Sequence, residues 1–428
     1  MMHLFDLVAL LQILLALLLA LLCGGLLYVT QRSYQGWWQI WWQRLCVQDD
    51  SAMRDAAPID IPPTSVADYG KTRFVSRIRL QPGNPSRPSP PPWTGGPGGG
   101  ILLLAVSMGL VSGLALIHLS IGTVLLRPDQ LVAALLGQMA DPVQQSIIWS
   151  VRVPRLLVAS VTGAMFGLAG VLLQTGTHNR LADAGPLGIA SGGALLIVLW
   201  LIYVDPLVLP GASVLPLVGL VGCLLASLPL YVLTRSTPPS VVGSTLVGLV
   251  ISVGAPVIAL LLLFPDLQVN TFLWWSIGSL DRRGWSAWQS LWPWALLALL
   301  LAFLIAWLPA LTRSGQPRSR MLWLGAAGIV TGSAVGVVGA VGYLGLLGSL
   351  LAQRVVGAEI RRVLLFSALF GTSMLLLADI VARLVSQAVL SIALVNELPA
   401  GLITMLIGLP CLLYGRMRRS DGASKEQG

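Results

Sequence analysis

Runs of roughly 20 apolar residues, almost free of charge, recur along this chain and leave it few ways to fold. A backbone inside lipid has no water to bond with, so each run can satisfy its own N–H and C=O groups only as a helix. The composition agrees: 56% of residues are hydrophobic, 10% are charged, and the mean hydropathy is +0.83. The expectation is an all-α, polytopic transmembrane helical bundle with no soluble core. A net charge of +9 would point to nucleic acid in a soluble protein. Here the basic residues lie mainly between or beyond the apolar runs, where membrane topology accounts for them. The cysteines Cys23, Cys46, Cys223 and Cys411 are scattered and form no C-x-x-C pair, so neither a disulfide framework nor a metal site is read.

The first hundred residues differ from the rest. Leu7 to Val29 is leucine-rich and uncharged, too long for a signal-peptide core, and predicts an uncleaved anchor helix within residues 1–30. Residues 31–100 then change character. In "YQGWWQIWWQRL", Trp37, Trp38, Trp41 and Trp42 share one face of a helix, which suits either the headgroup level of a membrane or a partner surface. Hydrophobic periodicity disappears from Asp49 onward, and "QPGNPSRPSPPPWTGGPGGG" reads as a Pro/Gly-rich cytoplasmic linker. The "YGKT" within it is no phosphate loop, because Ser65 stands where the first glycine belongs and no strand precedes it.

Residues 101–418 carry the main body, with 419–428 as a tail. Spans are expected near 101–122, 153–176, 187–204, 207–234, 240–264, 288–310, 320–341, 343–356, 363–386 and 399–415, about ten helices. Arg180, Arg235, Arg313, Arg318, Arg320, Arg354, Arg361, Arg362, Arg416, Arg418 and Arg419 fall on one side, which is assigned to the cytoplasm. With the added helix in front, the N-terminus lies outside and the linker inside.

A minority of arginines falls on the outer side. Arg152 and Arg155, in "VRVPR", lead into the second span, and Arg282 and Arg283 sit in an outer loop. Such charges either snorkel to lipid phosphate or pair with a partner's carboxylate. Within the spans, "LLLADIVARLV" places Asp379 and Arg383 one turn apart as an intramembrane ion pair, either a clamp between helices or a way to present Arg383 to an outer vestibule. His3, His118 and His178 are isolated and show no ligand spacing. Gly163 and Gly167, and the stripe Gly325, Gly328, Gly332, Gly336 and Gly339, read as close helix packing rather than substrate contact.

The segment "RVPRLLVASVTGAMFGLAGVLLQTGTHNRLADAGPLGIASGGAL" resembles the signature of the FecCD family, the permease subunits of iron(III)-siderophore and cobalamin ABC importers. Asn179, Leu181, Ala182, Asp183, Leu187 and Gly188 match its N-P-L-A-[DE]-P-x-x-L-G loop, while Arg180 and Ala184 replace the two prolines. "WWSIGSLDRRGW", "GYLGLLGSLLAQRVVG", "ADIVAR" and "ELPAGLITMLIGLPCLLY" follow in family order. The resemblance implies a ten-helix permease domain that pairs with a second permease subunit, like or unlike, around a central path. Its other implied partners are cytoplasmic ABC ATPases and an external substrate-binding protein, in a bacterial plasma membrane.

The same resemblance implies that this chain is no enzyme and binds no cofactor, since ATP is hydrolysed by partners. By motif, Arg152, Arg155 and Arg383 are expected to face acidic residues of the binding protein. The signature loop is expected to be the cytoplasmic turn between the second and third spans, polar because it is wet. Two departures stand out: Ser349-Leu350 replaces a Pro-His pair, and the ATPase-coupling loop is shortened to "LTRSGQPRSR". Coupling is then in doubt or passes to Arg313, Arg318 and Arg320. The first departure and the tryptophan-rich stretch are similar to the first half of double-length ferrichrome permeases, which favours a hydroxamate-type ferric siderophore or a similar bulky chelate. The competing readings are a membrane-embedded transferase, a secondary transporter without ATPase, and a degenerate permease that only anchors partners.

Overall fold

In the computed structural model, the described residues are 97–122, 126–136, 138, 141–203, 211–236, 274–307, 317–357, 359–389, 397–408 and 410. The anchor helix, the tryptophan face, the linker, the span at 240–264, Arg313, Cys23, Cys46, Cys411 and the tail lie outside them. Every regular element among the described residues is helical.

In chain order these are α1 (Pro97–Ser120), α2 (Pro128–Leu135) and α3 (Pro142–Ile147), then a π turn (Ile148–Arg152) that runs straight into α4 (Val153–Thr177). There follow α5 (Ile189–Tyr203), α6 (Gly211–Ser236), α7 (Trp285–Trp307), α8 (Pro317–Val338), α9 (Leu344–Val356) and α10 (Ile360–Val389). Residues 400–408 form a last helix, α11. Helical segments Gly100–Ser120, Pro142–Thr177, Arg320–Val338 and Ile360–Ala388 are each long and apolar enough to cross a membrane. The short helices α2 and α3 and the π turn subdivide a stretch that the sequence leaves between two spans.

Helix α4 is the axle of the bundle. It packs against α7, α8, α9 and α10, and it is buried almost all round from Val158 to Thr177, as its uniform apolarity requires. The π turn just ahead of it has a local cause. Pro154 has no N–H to give the carbonyl one turn back, and its ring crowds that carbonyl, so the helix widens there instead of breaking.

Glycine decides how close the helices come. A methyl group on Gly167 would collide with the Ser367 carbonyl of α10, and one on Gly163 would lie 2.8 Å from the Gly371 carbonyl. On α8, Gly332 and Gly336 meet the backbone of Leu220 and Pro216 on α6. These are backbone-to-backbone seams of the kind small residues permit in lipid, where dispersion and close approach replace the hydrophobic effect between helices. By contrast α1 leaves Ile101, Leu102, Val106, Leu110 and Leu116 exposed, the face expected of a helix against acyl chains.

Candidate functional site

Two polar constellations interrupt this apolar bundle. The first lies where the C-terminus of α1, the start of α4 and the C-terminal part of α10 meet. Asp379 of α10, 1% exposed, is its centre. Arg155 donates to both its oxygens, from Nε at 3.1 Å and Nη2 at 2.8 Å. His118 Nε2 lies 2.8 Å from Oδ2, and Arg383 Nε lies 3.2 Å from the same oxygen. Arg155 also meets a second carboxylate, with Nη1 at 2.7 Å from Glu397 Oε2.

The remaining guanidinium branches turn to the end of α1, where the last carbonyls of a helix have no intrahelical donors. Arg383 donates from Nη1 to the Ile121 carbonyl (2.8 Å) and from Nη2 to the His118 carbonyl (3.2 Å). Arg152 Nη1 donates to the Leu119 carbonyl at 2.7 Å and to that of Ser120 at 3.3 Å. Two cations at a helix C-terminus also oppose its negative dipole end. Outer-loop contacts continue the network: Trp285 Nε1 donates to the Trp149 carbonyl at 2.8 Å.

This geometry bears on the sequence expectation that Arg152, Arg155 and Arg383 present their charge outward to a partner. They are 6, 7 and 5% exposed, and their donors are directed inward to carboxylates and carbonyls. The pair Asp379 and Arg383 is likewise part of a larger unit, since Asp379 is shared among Arg155, Arg383 and His118. His118, which local spacing leaves isolated, tethers α1 to α10 across 261 positions of sequence. Only the long-range fold brings it there, so no spacing rule finds it. In the loop before α7, Arg282 is exposed, its side chain 82% accessible and its Nε 3.6 Å from Asp281 Oδ2, with its backbone left-handed at φ 54. Arg283 stacks over Trp275 at 5.1 Å, and burial pulls its pKa down to about 10.

The second constellation is the signature loop between α4 and α5. Helix α4 ends on His178, left-handed at φ 52, and Asn179 Oδ1 then accepts from the Leu181 N–H at 3.0 Å to form an Asx turn. The expectation that this loop is polar because it is wet holds for His178 and Arg180, which are exposed, but not for Asn179 and Asp183, 6% and 2% exposed; Leu181, Ala182 and Leu187 are buried with them. Gly188, at φ 76, starts α5. The buried polar groups are there to bond protein. Asp183 Oδ2 accepts from the Tyr343 N–H at 2.7 Å, and Oδ1 from the Leu346 N–H at 2.9 Å. A carboxylate 160 residues away thus caps the N-terminus of α9, where free N–H groups and the positive dipole end favour an anion. Burial pushes its pKa up to about 6, against the pull of the backbone N–H donors of Tyr343, Gly185, Leu346 and Ala184.

A polar bridge joins the same two elements. Gln174 Nε2 donates to Ser349 Oγ at 2.6 Å, and Gln353 Nε2 donates to Gln174 Oε1 at 2.7 Å. Ser349, one of the two residues that replace the family's Pro-His pair, is therefore a specific partner of α4. Of the basic residues considered for ATPase coupling, Arg318 and Arg320 sit on the first turn of α8, and Arg320 is half-buried.

A bundle turned about one buried helix, with an arginine cluster at one end and a signature loop capping a short helix, can be compared with known proteins. The profile described as the FecCD transport family matches residues 110–418. The chain belongs to the FecCD transport family. Among similar FecCD-type permeases, the iron(3+)-hydroxamate import system permease protein FhuG of Bacillus subtilis is 27% identical over 74% of this chain and 97% of its own length. The Fe(3+)-citrate import system permease protein YfmE of the same species is 32% identical over 73% of this chain and 93% of its own. The hemin transport system permease protein HmuU of Yersinia pestis reaches 35% identity over 65% of this chain and 85% of its own. A solved structure assigned as a metal-chelate type ABC transporter, in an inward-facing conformation, aligns with a TM-score of 0.60 at 25% identity, covering 73% of this chain and 99% of the other. This FecCD chain is thus the membrane-spanning permease component of an ABC importer.

Proposed function

We propose that this permease passes a ferric chelate of siderophore size, of the hydroxamate class, through a path it forms with a second permease subunit. The observation that carries the reading is coverage. The family match takes in nearly the whole helical body, and relatives named for iron(3+)-hydroxamate and Fe(3+)-citrate import align over 97% and 93% of their lengths. The helical body is thus that of a full permease, which argues against the degenerate anchor.

In this reading the chain does no covalent chemistry. Partner ATPases bind nucleotide, which favours one arrangement of the helices, and hydrolysis resets it. An external binding protein delivers the chelate to the outer end, where three arginines stand against two carboxylates in the cluster around Asp379. Arg152, Arg155 and Arg383 keep their docking role here through that local positive excess. At the cytoplasmic end, Arg313, Arg318 and Arg320 meet the ATPase. Residues 1–30 anchor the chain and 31–100 link it to the permease body.

The test is ATPase stimulation in the complete assembly in lipid, with a ferric hydroxamate, ferric citrate, hemin and cobalamin supplied in turn with the binding protein. The hydroxamate is expected to stimulate hydrolysis most. Preferential stimulation by another chelate would reassign the cargo, and none by any of them would contradict the reading.

A further inference from the structure

The two carboxylates that hold Arg155 are not equivalent. Asp379 is 1% exposed and takes two aligned hydrogen bonds from one guanidinium. Glu397 has a side chain 38% exposed as a whole, but the oxygen that approaches Nη1 at 2.7 Å is itself buried and makes no aligned hydrogen bond. Glu397 precedes the last helix, and the neighbouring Leu398 N–H is tied to Ser386 Oγ at 2.8 Å. The backbone is therefore held, and the outer part of the Glu397 side chain reaches solvent while its paired oxygen is covered. A charge-assisted pair with two aligned hydrogen bonds is strong, and one without alignment is the weaker of the two.

We propose that Glu397 is a built-in stand-in for a partner's carboxylate: it occupies Arg155 until an acidic side chain of the extracytoplasmic partner displaces it. The geometry selects Glu397 for exchange and Asp379 for permanence. Removing Asp379 would strand buried cations, whereas moving Glu397 outward returns it to water. The partner chemistry is an acidic protein surface, because the only feature vacated is one branch of a guanidinium fork shaped for a carboxylate. The exchange keeps the Nη1 branch of Arg155 from facing no carboxylate in the undocked state and makes docking weaker, hence more readily reversed, than that branch alone would allow. This inference rests on the docking reading given above.

The test uses the full chain in lipid nanodiscs, with a hexaglutamate peptide as probe. Glu397→Gln is expected to tighten peptide binding about 3- to 10-fold at low ionic strength, with the gain vanishing in high salt. Arg155→Lys, which keeps a cation facing Asp379 but removes the fork, is expected to weaken binding on its own and to erase the gain when combined with Glu397→Gln. If Glu397→Gln leaves affinity unchanged or lowers it while Arg155→Lys weakens binding, the stand-in role is wrong and docking at Arg155 survives. If Arg155→Lys changes nothing, the docking reading itself is wrong. A gain that persists in the double variant would reflect overall charge and would also overturn the inference. Glu397→Asp, which keeps the charge, is expected to behave as the parent, and melting curves identify any variant that has lost its fold.

Discussion

Among the described residues, Asp379 meets more basic side chains than any other carboxylate. It is buried, bonded to Arg155 and close to Arg383 and His118, so Asp379→Asn takes the carboxylate from Arg383 and leaves Arg155 with Glu397 alone. Breaking a buried pair from one side costs about 3–5 kcal/mol, and thermal unfolding in detergent should show a loss of that order. Asp183 works differently, with backbone donors in place of cations. Asp183→Ala leaves the N–H groups of Tyr343 and Leu346 without this acceptor, a loss of about 2–6 kcal/mol at roughly 1–3 per buried donor. Because burial raises its pKa to about 6, the folded state holds this proton more tightly than the unfolded chain. Stability should therefore fall as pH rises from the ordinary carboxylate range to about 6 and level off above it. Asp183→Ala should flatten that slope, which unfolding midpoints measured across the range will check. Which acids matter was only half legible in the chain. The one-turn spacing of Asp379 and Arg383 is local and readable, but Arg155, His118 and Glu397 join them only through packing of helices far apart in sequence.

At the scale of the element, most of the architecture was legible and its interior was not. Long apolar runs announce α1, α4, α8 and α10, because lipid allows a backbone no alternative to the helix. The signature loop was placed correctly between two spans, yet its polarity was taken as a mark of water. His178 and Arg180 are wet, but Asp183 bonds α9, since a polar group buried in a bundle is as well served by a helix N-terminus as by solvent. The glycine stripes were read as packing, and the seams bear a direct test. Gly167→Ala drives a methyl group into the Ser367 carbonyl and should cost about 1–3 kcal/mol by overpacking. Gly325→Ala meets nothing within 4 Å and should be neutral or stabilising by up to about 1 kcal/mol, as Ala is the better helix former. The contrast between the two melting temperatures separates a packing seam from composition. The π turn before Pro154 had no sequence signal beyond the proline itself.

On the scale of the whole molecule, the bundle divides its labour between two ends. Arginines at one end bind α1, α4 and α10 into one body, while the opposite end presents Asp183 capping α9 and the start of α8. A transporter driven by partner ATPases needs such rigid bodies, because a nucleotide-dependent push at one end reaches the other only through elements that move as units. Chain composition made the membrane bundle plain, but it carried no trace of the energy source, which the proposed function assigns to another polypeptide. The central claim is therefore best tested by transport itself: uptake of a ferric hydroxamate into vesicles holding the complete assembly, with ATP present or withheld. The account predicts uptake that requires ATP and stops when hydrolysis is blocked; uptake at the same rate without nucleotide would contradict it.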